Sequence, residues 1–414
     1  MIGIHGGHRL EGEVRISGAK NAALPAIFAT LLTPEPVVLR NIPRLLDVET
    51  AVELVRALGK EVRWEDGVLR IWGGEELCPE APAELVQRMR ASFLVLGPLV
   101  ARTGSARVAL PGGCALGPRP VDFHLQGLAR LGAQVELHDG AVRAHAPRLR
   151  GALVYLDFPS VGATEQLLLA GALAQGTTTV VNPAREPEVV DLAVLLGKMG
   201  AEVHWGLDRV TIRGRPALSG AEHTIIPDRI EAGTYLLAGA ITRGRVRACA
   251  ACPEHLRAFL DRLELAGAEV AAGEDWVEVQ GPARPRAVDF RTWPYPGFPT
   301  DLQPPMVAFL ALAEGRSTVT ETVYAARFGH VEPLLQMGAR IQVAGNVLVV
   351  EGVERLRGAR VEATDIRAGA ALVLAALAAE GVSFVRGDPH LARGYEKLGE
   401  KLRALGARVW EEPD

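Results

Sequence analysis

The chain has 414 residues, 48% hydrophobic and 23% charged, too long for one ordinary core and too apolar for disorder, so two domains or a repeat architecture is expected. A formal net charge of −4 excludes a generally basic nucleic-acid binder but leaves room for a local cluster of positive groups that grips an anion. Four cysteines, Cys78, Cys114, Cys249 and Cys252, point to a reducing, cytoplasmic setting rather than a disulfide framework.

Met1 to Arg9 lacks the basic-then-apolar order of a secretory signal. Further on, Ser17-Gly18-Ala19-Lys20-Asn21-Ala22-Ala23 opens a helix with a lysine and an amide at its start. Backbone N–H groups, the helix dipole and a point charge together suit a phosphate there, while a solvated surface lysine is the plain alternative.

From this point one phrase returns. An amphipathic helix ends in Ala57-Leu58-Gly59, Leu131-Gly132-Ala133, Met199-Gly200-Ala201, Ala266-Gly267-Ala268, Met337-Gly338-Ala339 and Leu405-Gly406-Ala407, at a period of about seventy residues. Glycine in that place fits a helix C-cap. An alternating hairpin follows it, as in 62–71 with Asp66-Gly67 at the turn. Between the phrases a short strand leads into a small-residue, apolar helix and a Val-rich strand. Six such α/β units make mixed sheets with helices packed against or inside them. The sixth lacks its second strand, and Ile2-Gly3-Ile4-His5-Gly6-Gly7 matches the missing piece. The expected division is therefore 20–228 for one three-unit domain and 1–19 plus 229–414 for the other, with a cleft between them as the default ligand site.

Several stretches carry chemistry-bearing side chains. Arg88-Met89-Arg90-Ala91-Ser92 is expected to set two arginines at a helix start. The loop Pro111-Gly112-Gly113-Cys114-Ala115-Leu116-Gly117-Pro118-Arg119-Pro120-Val121-Asp122 combines three glycines, three prolines, a lone thiol and a guanidinium. It suits a nucleophile or acid beside an anion site, or else an idle surface turn. His124 follows it and reads equally as a site residue or a packed one. Ser160-Val161-Gly162-Ala163-Thr164 gives a small-donor helix start. Cys249-Ala250-Ala251-Cys252 has no second pair, so it reads as structural and no metal is predicted. Asp301, in Pro299-Thr300-Asp301, is either a first-turn cap or a general base. Arg327, Asp365-Ile366-Arg367 and Arg393-Gly394-Tyr395 bring arginines to unit boundaries, where together they would hold a small polyanion. The most apolar run, Ala368 to Ala379, falls short of the roughly twenty residues of a membrane span and reads as a buried core helix.

Taken in order along the chain, these stretches, with Ala184-Arg185-Glu186-Pro187-Glu188, resemble the UDP-N-acetylglucosamine enolpyruvyl transferase family. The resemblance implies a two-domain inverse α/β barrel with three units per domain. It also implies enolpyruvyl transfer from phosphoenolpyruvate to the 3-hydroxyl of UDP-N-acetylglucosamine, by addition then elimination, without metal or organic cofactor. By matching positions, Cys114 resembles the thiol that protonates or adds to the enolpyruvyl group, and Asp301 the base. Lys20, Arg119 and Arg393 resemble the phosphate grip, with Arg327 and Arg367 nearby for charge and carboxylate. Asn21 matches a sugar contact. Arg119, Pro120, Val121, Asp122 and Phe123 match the uridine side, and Ser160, Val161 and Gly162 the diphosphate contact. Arg90, Val323 and Asp365 complete the implied substrate contacts. Leu46, Phe158, Leu94 and Ala392 depart from the family's lysines, tryptophan and aspartate at those places. The implied partners are the two small substrates alone, without nucleic acid or membrane insertion, in a chain taken as monomeric. The rival readings are the shikimate-pathway enolpyruvyl transferase and a catalytically weakened paralogue that binds UDP-sugar as a sensor.

Overall fold

Each repeat is easiest to follow in its third copy. The strand Leu153–Tyr155 leads into the helix Val161–Gly171, and the strand Thr177–Val181 returns parallel to the first, with Thr179 opposite Leu153. A second helix, Pro187–Lys198, feeds the hairpin Glu202–Trp205 and Arg209–Arg213, whose far strand lies antiparallel beside Thr177–Val181. The two helices differ as their sequences require. Val161–Gly171 is buried on every side from Ala163 to Gly171 and forms the interior, whereas Pro187–Lys198 exposes Val190, Val194 and Lys198 at helical spacing. Sheets therefore lie outside and small-residue helices inside. Such helices bury their apolar side chains completely, worth about 1.5–3 kcal/mol for each large one.

The structure, a computed structural model, describes residues 1–112 and 121–412. Among these, six sheets repeat the pattern, five of four strands and one of three. In the three-stranded sheet the first strand is reduced to a single parallel bridge between Glu80 and Arg107. Two compact units result, residues 1–17 with 227–412 and residues 18–112 with 121–226, and each has its own hydrophobic core.

Long-range pairing closes both units. In the 18–226 unit the strand Ala221–Thr224 runs parallel to Val37–Arg40. In the other, Glu11–Arg15 runs parallel to Arg245–Cys249. Ile2–His5 inserts between Val382–Arg386 and Arg408–Glu411, antiparallel to both, and supplies the strand the sixth repeat lacks. The six repeat glycines all have φ between 92° and 109°, the left-handed region that a C-cap needs and other residues resist. Asp66 and Gly67 both have positive φ, 48° and 73°, as a two-residue hairpin turn requires.

Candidate active site

The 227–412 unit concentrates charge around Asp301. The proline-rich approach ends in a short 3-10 turn, Thr300–Leu302, which carries Asp301 into the helix Gln303–Leu310. Asp301 is the acidic residue of that first turn, as one of the alternatives had it, while the N-caps Pro299 and Leu302 make no side-chain cap hydrogen bond. The Asp301 carboxylate is held at both oxygens. Arg327 Nη1 donates to Oδ1, and Arg367 Nη2 donates to Oδ2 at 3.0 Å. Both arginines are buried, at 4% and 6% exposure. Burial pulls the Arg327 pKa down, but Asp301 and then Tyr324 outweigh it and the net shift is upward. Arg367 behaves alike, burial opposing and Asp301 dominating the rise. Two buried guanidiniums therefore converge on one carboxylate, a grouping whose arginines could also meet an anionic ligand.

A buried carboxylate that sequence reading overlooked frames this cluster. Glu321, fully buried, accepts from Thr292 Oγ1 at 2.8 Å and Thr300 Oγ1 at 3.0 Å, and from the backbone N–H groups of Val323 and Tyr324 at 2.8 and 2.9 Å. It ties the Asp301 turn to the loop that bears Val323 and Arg327. Asp365 caps the helix Ile366–Ala378 by accepting from the N–H groups of Arg367 and Ala368 at 2.8 and 3.1 Å, which fixes where Arg367 starts. Arg393 is half-buried at the end of the short helix Asp388–Ala392.

In the 18–226 unit the lysine is not a solvated surface group. Lys20 is the first residue of the helix Lys20–Ala29, is 8% exposed, and pairs with the buried Asp47 at 3.1 Å. Gly18 is needed just before it, because a Cβ there would overlap the Asn41 carbonyl oxygen. Asn21 is exposed beside it. Arg88 and Arg90 part company. Arg88 ends the helix Ala83–Arg88 and pairs on the surface with Glu53, which corrects the expectation of two arginines at one helix start, while Arg90 begins the turn Arg90–Val95. Ser160 caps Val161–Gly171 by accepting from Ala163 N at 3.3 Å.

His124 packs against that same helix start, its Cε1 only 3.0 Å from where a Cβ on Gly162 would stand. Burial, then the Arg90 charge, pushes its pKa down to about 3, so the ring is neutral. Val121 precedes the helix Asp122–Arg130, with Asp122 exposed and Phe123 half-buried. Cys114, Arg119 and Pro120 lie outside the described residues. Cys249 Sγ lies 3.8 Å from Glu13 Oε2.

The sequence profile of EPSP synthase (3-phosphoshikimate 1-carboxyvinyltransferase) matches residues 4–402. The chain belongs to this enolpyruvyl transferase family. It is 51% identical to "UDP-N-acetylglucosamine 1-carboxyvinyltransferase 2" of Carboxydothermus hydrogenoformans, over 98% of each chain. It is 48% identical to the Thermotoga maritima protein named UDP-N-acetylglucosamine 1-carboxyvinyltransferase, over 98% of this chain and 97% of that one. Among solved structures, the enolpyruvyl transferase NikO from Streptomyces tendae superposes with a TM-score of 0.89 at 32% identity, covering 99% of this chain and 98% of that one. EPSP synthase from Acinetobacter baumannii, at 19% identity and a TM-score of 0.78 over the whole of both chains, shares the fold.

In this enolpyruvyl transferase Leu46 and Phe158, expected from sequence to stand where many members carry lysine, face outward. Leu46 is 44% exposed at the first turn of Leu46–Ala57, and Phe158 is 37% exposed just before Ser160. Leu94, by contrast, is buried. Among the described residues no helix is long and apolar enough to cross a membrane, and no group of three or more His, Cys, Asp or Glu is placed to hold a metal ion.

A second network that sequence reading missed holds the last residue before the chain enters the 18–226 unit. Lys401 Nζ donates to Glu231 Oε1 at 2.6 Å and to Ser17 Oγ at 2.8 Å. The Ser17 N–H donates to Glu231 Oε2 at 2.7 Å, and Ser17 Oγ donates to Glu396 Oε2 at 2.6 Å. Burial raises the Glu231 pKa to about 7 against the opposing pull of Lys401.

Proposed function

We propose that the protein transfers the enolpyruvyl group of phosphoenolpyruvate to the 3-hydroxyl of UDP-N-acetylglucosamine, giving UDP-N-acetylglucosamine-enolpyruvate and phosphate. In this reading it acts in the cytoplasm at the first committed step of peptidoglycan synthesis, and through it in cell shape and division. The near-full-length likeness to proteins of that name carries the reading. The Asp301 cluster supports it, because a carboxylate with two buried arginines around it combines a proton acceptor with a seat for an anion.

The chemistry sets what each side chain would do. Addition of the sugar hydroxyl to the enolpyruvyl carbon needs a proton delivered to the methylene and one removed from the hydroxyl. Cys114 is the proposed acid or covalent partner and Asp301 the proposed base. Lys20, Arg119 and Arg393 would hold the phosphate, and Arg327 and Arg367 the carboxylate. Asn21 would contact the sugar, Ser160 to Gly162 the diphosphate and Arg119 to Phe123 the uridine side, with Arg90, Val323 and Asp365 as further substrate contacts. Residues carried by the two units would thus act on one substrate pair, with 20–228 and 1–19 plus 229–414 as the working domains. The exposed Leu46 and Phe158 favour one second reading, a catalytically weakened paralogue that binds UDP-sugar as a sensor.

Incubation with phosphoenolpyruvate and UDP-N-acetylglucosamine, followed by phosphate release and product mass, tests the proposal. Turnover with 3-phosphoshikimate in place of the nucleotide sugar would point to the shikimate-pathway reaction, and UDP-sugar binding without turnover would establish the sensor. Fosfomycin, an epoxide that mimics phosphoenolpyruvate, is expected to add one molecule to the protein by intact mass and none to Cys114→Ala.

A further inference from the structure

Arg367 has a second partner that the proposed chemistry does not use. Its Nη1 donates to the hydroxyl oxygen of Tyr395 at 3.3 Å while Nη2 is committed to Asp301. The Tyr395 hydroxyl in turn lies 3.0 Å from Thr234 Oγ1. The direction of that contact follows from the next one. Thr234 spends its own proton on the Ile230 carbonyl at 2.8 Å, so it must accept from Tyr395. A hydroxyl has one proton and two lone pairs, and with the proton pointed at Thr234 the lone pairs of Tyr395 face Arg367. The result is a one-way chain from the guanidinium through two hydroxyls to a backbone carbonyl. Every side chain in it is buried, with Tyr395, Thr234 and Arg367 at 3%, 4% and 6% exposure.

The backbone is shaped to allow this. A Cβ on Gly394 would run into Ile366 Cγ2 and come within 3.8 Å of Arg367 Nη1, so glycine lets the segment bearing Tyr395 press against the start of Ile366–Ala378. The ring also lies 5.8 Å from the Arg367 guanidinium carbon, close enough to restrain the side chain's swing. Burial first of all raises the Tyr395 pKa, against the pull of Arg367, and the hydroxyl keeps the proton the chain needs.

We propose that Tyr395, oriented by Thr234, is a positioning residue that fixes the angle at which Arg367 meets the anionic substrate. The proposal rests on the reading of Arg367 as part of the phosphoenolpyruvate grip. A chain that only stabilised the fold would lower the melting temperature and the amount of active enzyme, and would leave the KM of the surviving enzyme alone. A chain that aims Arg367 would act on the KM of one substrate.

Steady-state kinetics with each substrate varied in turn, alongside thermal melts, decide between these. Tyr395→Phe is expected to raise the KM for phosphoenolpyruvate about tenfold, the worth of one hydrogen bond to a charged group. Its kcat should stay within about twofold, as expected for lost ground-state binding. Thr234→Val, which frees the tyrosine hydrogen to turn elsewhere, should raise the same KM by a smaller factor. Thr234→Ser, which keeps the hydroxyl, should restore it. An unchanged KM in Tyr395→Phe would overturn the proposal, as would equal damage from Thr234→Ser and Thr234→Val. If Tyr395→Phe does not fold, the two Thr234 variants carry the same test. Absence of turnover in the unsubstituted protein would instead bring down the enolpyruvyl-transfer reading beneath it.

Discussion

Lys20 and Asp301 both stand at helix starts, yet they are held differently. Lys20 pairs with the buried Asp47 at 3.1 Å. Asp301 takes Arg327 on one oxygen and Arg367 on the other. A buried ion pair contributes little net stability, because attraction roughly offsets desolvation, but removing one partner costs the other its counter-charge. Two guanidiniums on one carboxylate instead fix the direction of all three groups. Burial alone therefore does not mark a reactive site; the convergence of charged groups on one carboxylate does.

The largest expected effect breaks that convergence at the carboxylate. Asp301→Asn keeps the shape but removes the proposed base, and turnover should fall by about 10²–10⁴-fold while binding of UDP-N-acetylglucosamine by calorimetry persists. A retained rate would remove Asp301 from the chemistry. The next breaks the buried pair. Lys20→Met takes the ammonium group 3.1 Å away from the Asp47 carboxylate, and denaturant unfolding should show a loss of about 3 kcal/mol. Lys20→Met with Asp47→Leu should recover most of it, and a double variant as unstable as the single one would mean the pair is not the cause.

Glu231 supplies a case in which the balance shifts with pH. Its pKa in the folded protein is about 7, raised by burial above the ordinary glutamate value near 4.5. The folded state therefore holds the proton more tightly than the unfolded chain. The stability this contributes is fully present below pH ~4.5 and is lost as pH rises through about 7. Relative to Glu231→Gln, the unsubstituted protein should lose roughly 3 kcal/mol across that window, measured as the difference between two stability-versus-pH curves. Parallel curves would contradict it. The smallest effect is uncharged: Gly200 has φ 109° and open space around it, so Gly200→Ala should cost only backbone strain, about 1–2 kcal/mol.

The repeats were legible because they are written locally. A glycine after an amphipathic helix and an alternating pair of strands announce a C-cap and a hairpin without reference to distant residues. Asp301, Arg327 and Arg367 could also be singled out as charge-bearing residues at unit boundaries. What could not be read was which partner each would take. Glu321, Tyr395, Thr234 and Asp47 lie in stretches whose local pattern is ordinary core or helix, and their roles come from pairing across 21 to 161 positions, the longest separating Thr234 from Tyr395. Arg88 shows the converse error. Two arginines two residues apart look alike in sequence, but a helix ends between them and sends one to the surface.

The inserted strand Ile2–His5 has a consequence for how the protein is made. Its two neighbours, Val382–Arg386 and Arg408–Glu411, leave the ribosome after nearly every other element. Until they do, Ile2–His5 has both edges open, exposed to pairing with other chains. Closure of this sheet is thus a long-range event. Conditions that slow translation of the residues between these strands lengthen the interval in which aggregation competes with native pairing.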